Sequence, residues 1–404
     1  MTATGGGSER LRAELEAELV SMREAGTLKS LRVLRSPQGP EVELDGQGRV
    51  LMLSSNDYLG LAAHPDVVAA GAAALERYGA GTASVRFICG LFEPHLELER
   101  DLAEFVGAEA SLSYVSCWNA NQALLDALSG PDTHVFSDEL NHASIIDGIR
   151  LARPAGKVVF PHRDLAALRR ALEAAPAAAR KLIVTDGVFS MEGDLAPLPG
   201  LVEIARDHGA VLIVDDSHGL GVLGPSGAGT PEHFGLRGEI DIVTGTIGKA
   251  LGGGAGGFVA GSPALIEVLE QRSRPQLFSN GLPPTVAASA RRALAELRHH
   301  PELLDRLRAN TERFRAGLRA AGLAPLDGES AIVPIIVGET AAAIALSARL
   351  LDAGVFVTGF GYPVVPEGAA RIRAQISAAL SDAQLDRAVA TIAAAARAEG
   401  VAAA

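Results

Sequence analysis

Cysteine is scarce in this chain: Cys89 and Cys117 are the only two among 404 residues. Two thiols build no disulfide framework, and such usage fits a reducing compartment. Long apolar runs are missing too. No stretch approaches eighteen uninterrupted apolar residues, and the opening MTATGGGSERLRAELEAEL lacks an apolar core of signal-peptide length. Positive charge is in deficit, with 36 Lys and Arg against 48 Asp and Glu and a formal net charge of −12. That balance argues against non-specific binding to nucleic acid or an anionic membrane, while leaving room for a local basic pocket that takes a phosphate. The absences together predict a cytoplasmic protein with neither a membrane nor a nucleic acid as partner.

What is present is a 48% hydrophobic composition, enough at this length for one large domain and one smaller one. Residues 8–25 space Leu and Val helically among charges, with Ser8 placed to cap the helix. Residues 31–53 read as short strands around glycine turns. From about residue 62, apolar runs at 111–115, 134–137, 157–160, 181–185, 210–215, 241–246 and 256–261 alternate with Ala- and Leu-rich helical stretches. That alternation predicts an α/β domain with a large, mostly parallel, seven-stranded sheet covered on both faces. Only GKALGGGA joins the last two runs, so the final strand should be reversed. A helical stretch over 283–322 is broken by Pro301. Strands at 331–337, 355–358 and 371–377 and helices at 340–353 and 381–398 then suit a small C-terminal α+β domain. The expected divisions are 1–60 for an N-terminal helix and strand segment, 61–290 for the large domain and 291–404 for the small one.

In open α/β sheets, ligands bind beyond the carboxyl ends of the strands. Three of the expected ends carry polar clusters: TDGVFSMEGD after 181–185, DDSHG after 210–215, and TGTIGKALGGG after 241–246. An acid closing an apolar strand is costly to bury unless it meets a cation or a donor. Its ordinary alternatives are a helix cap or a surface ion pair, and Asp216 with His218 lacks the companions a metal would need. Lys249, among small residues at a strand end, is unlike a solvated surface lysine. It suits an amine that condenses with a carbonyl, which must lose its charge to react. A phosphate-binding GxxxxGK[ST] loop is excluded because Ala250 follows the lysine, and GGGAGG precedes a strand where a dinucleotide fingerprint would follow one. Pyridoxal 5′-phosphate answers to these residues jointly. It needs a lysine for its aldehyde, an acid for its ring nitrogen and backbone donors for its phosphate. Lys249, Asp215 and the amides of Ser116 to Asn119 can supply them.

These motifs, with SNDYLGLA (55–62), ASVRFICG (83–90), RSRPQLFSNGL (272–282), VTGFGYPVVPEG (357–368) and ARIRAQISAA (370–379), make the chain resemble the α-oxoamine synthases from about residue 25 to its end. These are fold-type I PLP-dependent transferases. VRFICG, RSRPxLFSN and ARIRxQxSAA place the resemblance in the glycine C-acetyltransferase branch. The resemblance implies an acyltransferase that condenses glycine with acetyl-CoA, or runs the reverse thiolysis in threonine degradation. A related synthase using another amino acid or a longer acyl-CoA, such as 8-amino-7-oxononanoate synthase, is the alternative.

It also implies roles. Lys249 would hold the cofactor covalently, Asp215 would pair with the ring nitrogen, and His218 would bond the ring oxygen. His142 would stack on the ring and Ser190 would contact its oxygen side. Cys117 and Trp118 would offer amides to the phosphate, helped by Thr246. Ser279 would reach the phosphate from a second subunit, implying a homodimer with shared sites. Asn56 would lie near the substrate, and Arg373 would clamp its carboxylate. Read as bare residues, His142 would sooner be a core histidine and Ser190 a turn hydroxyl. Alternation puts Arg371 on the face of Arg373, so either arginine could be the clamp. Leu91 and Gly361 depart from the branch and would widen or reshape the acyl pocket.

Overall fold

The computed structural model describes residues 6–25, 27–28 and 31–401. The first residues of the N-terminal segment and the end of the Ala-rich tail lie outside that range. The first helix, Gly7–Glu24, starts one residue ahead of Ser8; Gly6 is its cap, so Ser8 is a first-turn residue and no side chain caps it. Strands β1 (Glu41–Leu44) and β2 (Gly48–Met52) form an antiparallel hairpin. Gly46 and Gly48 sit at φ 73° and 78°, conformations open to glycine at little cost.

The main sheet contains β3 (Ala110–Tyr114), β4 (Thr133–Asp138), β5 (Gly156–Phe160), β6 (Arg180–Asp186), β7 (Val211–Asp215), β8 (Ile242–Thr246) and β9 (Gly257–Gly261). Its order is β3-β9-β8-β7-β6-β4-β5. The strands from β8 to β5 are parallel, while β9 runs antiparallel to both β8 and β3, the reversal expected where no helix intervenes. Leu182, Ile183, Val214 and Phe258 are wholly buried, as strands covered on both faces require.

Pro301 does break the long helical stretch, which becomes Pro284–His299 and Glu302–Ala320. In the C-terminal part, β10 (Ile332–Gly338), β12 (Thr358–Phe360) and β13 (Ala370–Gln375) make a three-stranded sheet with β13 central. Residues 355–358, expected as one strand, are divided between two sheets. β11 (Val355–Phe356) pairs parallel with β2, and the chain then crosses to β12 beside β13. Val357, fully buried at the crossing, anchors both halves. The N-terminal hairpin is thus hydrogen-bonded to the C-terminal region, a long-range pairing that local periodicity does not contain. Among the described residues no helix is long and apolar enough to cross a membrane.

Candidate active site

Parallel pairing brings the carboxyl ends of β6, β7 and β8 to one edge, with Asp186 opposite Asp215 and Asp215 opposite Thr244. There a cavity of about 210 Å³ is lined by Cys117, Trp118, His142, Asp215, His218, Thr246 and Lys249, together with Asp186 and four others. Seven of the eleven residues singled out from the sequence therefore meet at one place.

Asp215 is buried but well supplied with donors. Its Oδ2 accepts from Asn121 Nδ2 at 2.6 Å and from the Cys117 thiol at 3.6 Å, and its Oδ1 accepts from the Ser217 amide at 3.0 Å. Thr244 Oγ1 donates to Asn121 Oδ1 at 2.8 Å, which turns the Asn121 amino group toward the carboxylate. Three donors compensate the burial of this carboxylate, which would otherwise be costly. Asp186, its neighbour across the strands, has the opposite balance. Burial, with the Asp215 charge adding to it, pushes the Asp186 carboxyl well above the usual range, and its Oδ1 is buried without a partner.

Lys249 stands in the turn that joins β8 to β9. Thr246 Oγ1 fastens that turn, accepting from the Gly248 amide and donating to the Gly256 carbonyl, each at 3.0 Å. A Cβ on Gly248 would come within 2.5 Å of the Gly254 carbonyl oxygen, so the turn needs glycine there. The lysine is half-buried by area, with its amine facing the cavity. Burial lowers its pKa, partly offset by the nearby Asp215 carboxylate. The net effect is an amine more readily neutral than a surface lysine.

His142 caps the helix Ala143–Ala152, its Nδ1 accepting from the Ser144 amide at 3.2 Å. Burial lowers its pKa, and the bond accepted at Nδ1 leaves the proton of the neutral ring on Nε2. His218 is driven well below the usual range by burial and by the neighbouring Lys249 and Arg373 charges. Its Nδ1 lies 2.8 Å from the hydroxyl of Tyr58, a phenol that burial pushes up to about 12. Gln375 Nε2 donates to that hydroxyl at 3.0 Å and also to Asn56 Oδ1. Asn56 thus stands one step behind the cavity, linked to it through Gln375, Tyr58 and His218.

The two arginines of β13 have different surroundings. Arg371 is 5% exposed, pairs with Glu192 Oε1 at 3.0 Å and donates to the Met191 and Ala369 carbonyls. Arg373 donates to the Ser190 carbonyl at 2.8 Å, lies over the Phe360 ring at 4.7 Å, and keeps a buried Nε without a partner. Burial lowers its pKa, and no carboxylate is paired with it among the described residues. It is the cation with capacity to spare. Ser190 meets Arg373 through its main chain rather than its hydroxyl. Ser279, exposed at the end of the short helix Arg274–Phe278, is not part of its own chain's cavity. At Gly361 a Cβ would meet Thr340 Cγ2 at 2.4 Å, so the space a larger residue would take is already filled and no widening results there.

Sequence reasoning overlooked Asn121, Asp186, Tyr58 and Gln375. Asp186 closes an apolar strand as Asp215 does, and the same cost argument applies to it. Asn121 follows Cys117 at i+4, on the same helix face. Tyr58 and Gln375 lie 317 residues apart and carry no local signal of their pairing.

The residues at the cavity fit a phosphorylated aldehyde cofactor. Lys249 offers the amine and Asp215 the carboxylate, while the helix Cys117–Leu128 begins at the rim with first-turn amides that have no intrahelical partner. The family model described as aminotransferase class I and II matches residues 49–392. The mitochondrial 2-amino-3-ketobutyrate coenzyme A ligase of Homo sapiens is 46% identical over 381 residues, covering 94% of this chain and 91% of that one. The 8-amino-7-oxononanoate synthase of Geobacter sulfurreducens is 47% identical over 382 residues, covering 94% and 97%. A serine palmitoyltransferase from S. paucimobilis, solved with bound PLP and myriocin, superposes with a TM-score of 0.90 at 34% identity over 96% of this chain and 98% of that one. With a fold-type I sheet, a lysine and an aspartate at its carboxyl edge and such relatives over nearly its full length, the chain belongs to the aminotransferase class I and II family and, within it, to the α-oxoamine synthases, whose cofactor is pyridoxal phosphate.

Proposed function

We propose that this chain joins glycine to acetyl-CoA, releasing CoA and 2-amino-3-oxobutyrate, or catalyses the reverse cleavage in threonine degradation. The observation that carries the reading is the meeting of Lys249 and Asp215 at one cavity, with half-buried Arg373, whose charge acts on Lys249 and His218, lacking a carboxylate partner among the described residues. When bound, pyridoxal phosphate supplies an aldehyde for an amine and a ring that accepts the electron pair left on the α-carbon.

The chain's own residues supply the rest. Arg373 takes the amino-acid carboxylate through its guanidinium fork. Burial lowers the Lys249 pKa, which favours the neutral amine that takes an α-proton. Asp215, fixed by bonds from Asn121, Cys117 and Ser217, would pair with the ring nitrogen and favour a proton there. His142 and His218 both line the cavity, where His142 Nε2–H would steady developing negative charge and neutral His218 would serve as a partner for the ring oxygen. A bond then forms between the glycine α-carbon and the acetyl carbonyl carbon. The carbon–sulfur bond breaks, and the thiolate leaves as CoA on taking a proton. The relatives named as ligases of 2-amino-3-ketobutyrate support this reading, as do the RSRPQLFSN and ARIRAQISAA motifs. A homodimer in the cytoplasm, with Ser279 and Asn56 completing sites at the subunit junction, is part of the proposal.

Lys249→Ala should abolish both the visible absorbance of the cofactor-loaded protein and turnover, a loss of at least about 10⁴-fold. Turnover surviving in the variant would refute the assignment. A panel of glycine with acetyl-CoA, alanine with pimeloyl-CoA and serine with palmitoyl-CoA then separates the reading from its alternative, which the Geobacter synthase keeps open.

A further inference from the structure

A second cluster of ionisable groups lies outside the cavity, at the base of the loop that follows β6. His162, just beyond β5, has Nδ1 3.0 Å from Asp138 Oδ1 and Nε2 3.0 Å from Asp194 Oδ2. A neutral imidazole has one N–H, so it can satisfy only one of two facing carboxylates. With both ring nitrogens at hydrogen-bond distance from carboxylate oxygens, the geometry calls for hydrogens on both. Its ring meets the Phe189 ring edge-on at 4.4 Å. The surrounding charges are few and near. Glu139 Oε1 accepts from the His162 amide, Asp138 Oδ2 accepts from the Arg163 amide, and the Arg163 guanidinium adds a 2.9 Å bond to Asp194 Oδ2.

The loop anchored there is the one both β13 arginines lean on. Phe189 N donates to the Asp194 carbonyl at 3.0 Å and Gly193 N to the Phe189 carbonyl at 2.8 Å, closing a turn over Phe189–Asp194. Within it, the Ser190 carbonyl holds Arg373 and the Met191 carbonyl holds Arg371. We propose that His162 is a positioning residue for the substrate site: charged and wedged between Asp138 and Asp194, it fixes the turn that aims Arg373. The proposal rests on Arg373 as the carboxylate holder.

Burial would lower the His162 pKa, but its bonds to the two carboxylates outweigh that and raise it to about 9. Because the folded value lies above the unfolded one near 6.5, the latch is fully in place below about pH 6.5 and is lost as pH rises through about 9.

The test is His162→Gln, with Asp194→Asn as a second variant that retains the Asp138 bond. In the cofactor-loaded enzyme, His162→Gln should raise the KM for glycine about tenfold at pH 7 and change kcat less than about threefold. Glycine's own amine titrates equally for both enzymes, so the ratio of their KM values is the readout. It should fall from about ten at pH 7 toward one by pH 10, as the wild-type imidazolium discharges. Hydrogen exchange at the amides of Phe189 and Gly193, followed without substrate, should be faster in both variants. Unchanged exchange overturns the latch. Faster exchange with a KM ratio of one at every pH overturns its link to the substrate. Failure of the Arg373 assignment reads out separately, as Arg373→Ala leaving the glycine KM untouched.

Discussion

Arg371 and Arg373 stand two residues apart on one face of β13, and sequence alternation treats them alike. Their partners separate them. Arg371 is committed to Glu192 and to two carbonyls, whereas Arg373 meets a single carbonyl and retains an unpartnered Nε. Removing a charge-assisted fork to a substrate carboxylate costs about 3 kcal/mol, so Arg373→Ala should raise the glycine KM about 10²-fold with the fold intact. Arg371→Ala should act on stability instead. It strands a half-buried Glu192 carboxylate and two carbonyls, and thermal unfolding should shift down with little change in KM for the protein that remains folded. The reverse pattern would reassign the clamp. At this scale the sequence revealed residue types and spacing, and the choice between two like residues depended on groups about 180 positions away.

At the scale of elements, the site depends on how closely β9 approaches the start of the helix Cys117–Leu128. A Cβ on Gly257 would fall 2.2 Å from the Cys117 nitrogen and 2.4 Å from its Cα. Those are backbone atoms and cannot swing aside. Gly257→Ala should therefore push the helix start away from the cavity, costing about 1–3 kcal/mol in stability and weakening cofactor binding through the displaced first-turn amides. Thermal denaturation and a cofactor titration together check this; unaltered cofactor affinity would remove those amides from the site. The strands themselves were legible, because buried parallel strands are apolar runs and their ends shift by only a residue or so between reading and structure. Residues 355–358 were misread as one strand. Nothing local says that a chain will leave one sheet for another, since that depends on which edges are free elsewhere.

The whole molecule leaves large apolar side chains uncovered. Phe87 is 68% exposed and Phe278 71% exposed, and Phe278 adjoins Ser279. A single chain gains nothing from such exposure, and a second copy is the occupant the proposed homodimer supplies. Light scattering should return twice the 41.7 kDa chain mass at micromolar concentration. A monomer with full activity would exclude Ser279 from the phosphate site.

The sequence by itself determined the order of strands and helices, the reversed β9, the cofactor class and most of the residues that line the cavity. Strand periodicity, glycine turns and a lysine or an acid at a strand end are local features with local physical causes, while His142, His218 and Thr246 entered through the resemblance carried by the motifs. Only the tertiary structure decided which arginine is free, which donors surround Asp215 beside Asp186, and that His162 lies between Asp138 and Asp194 next to the turn that meets Arg373. Those outcomes depend on donors and charges brought within about 3 Å from distant parts of the chain, where the low dielectric of the interior magnifies each partner gained or missing.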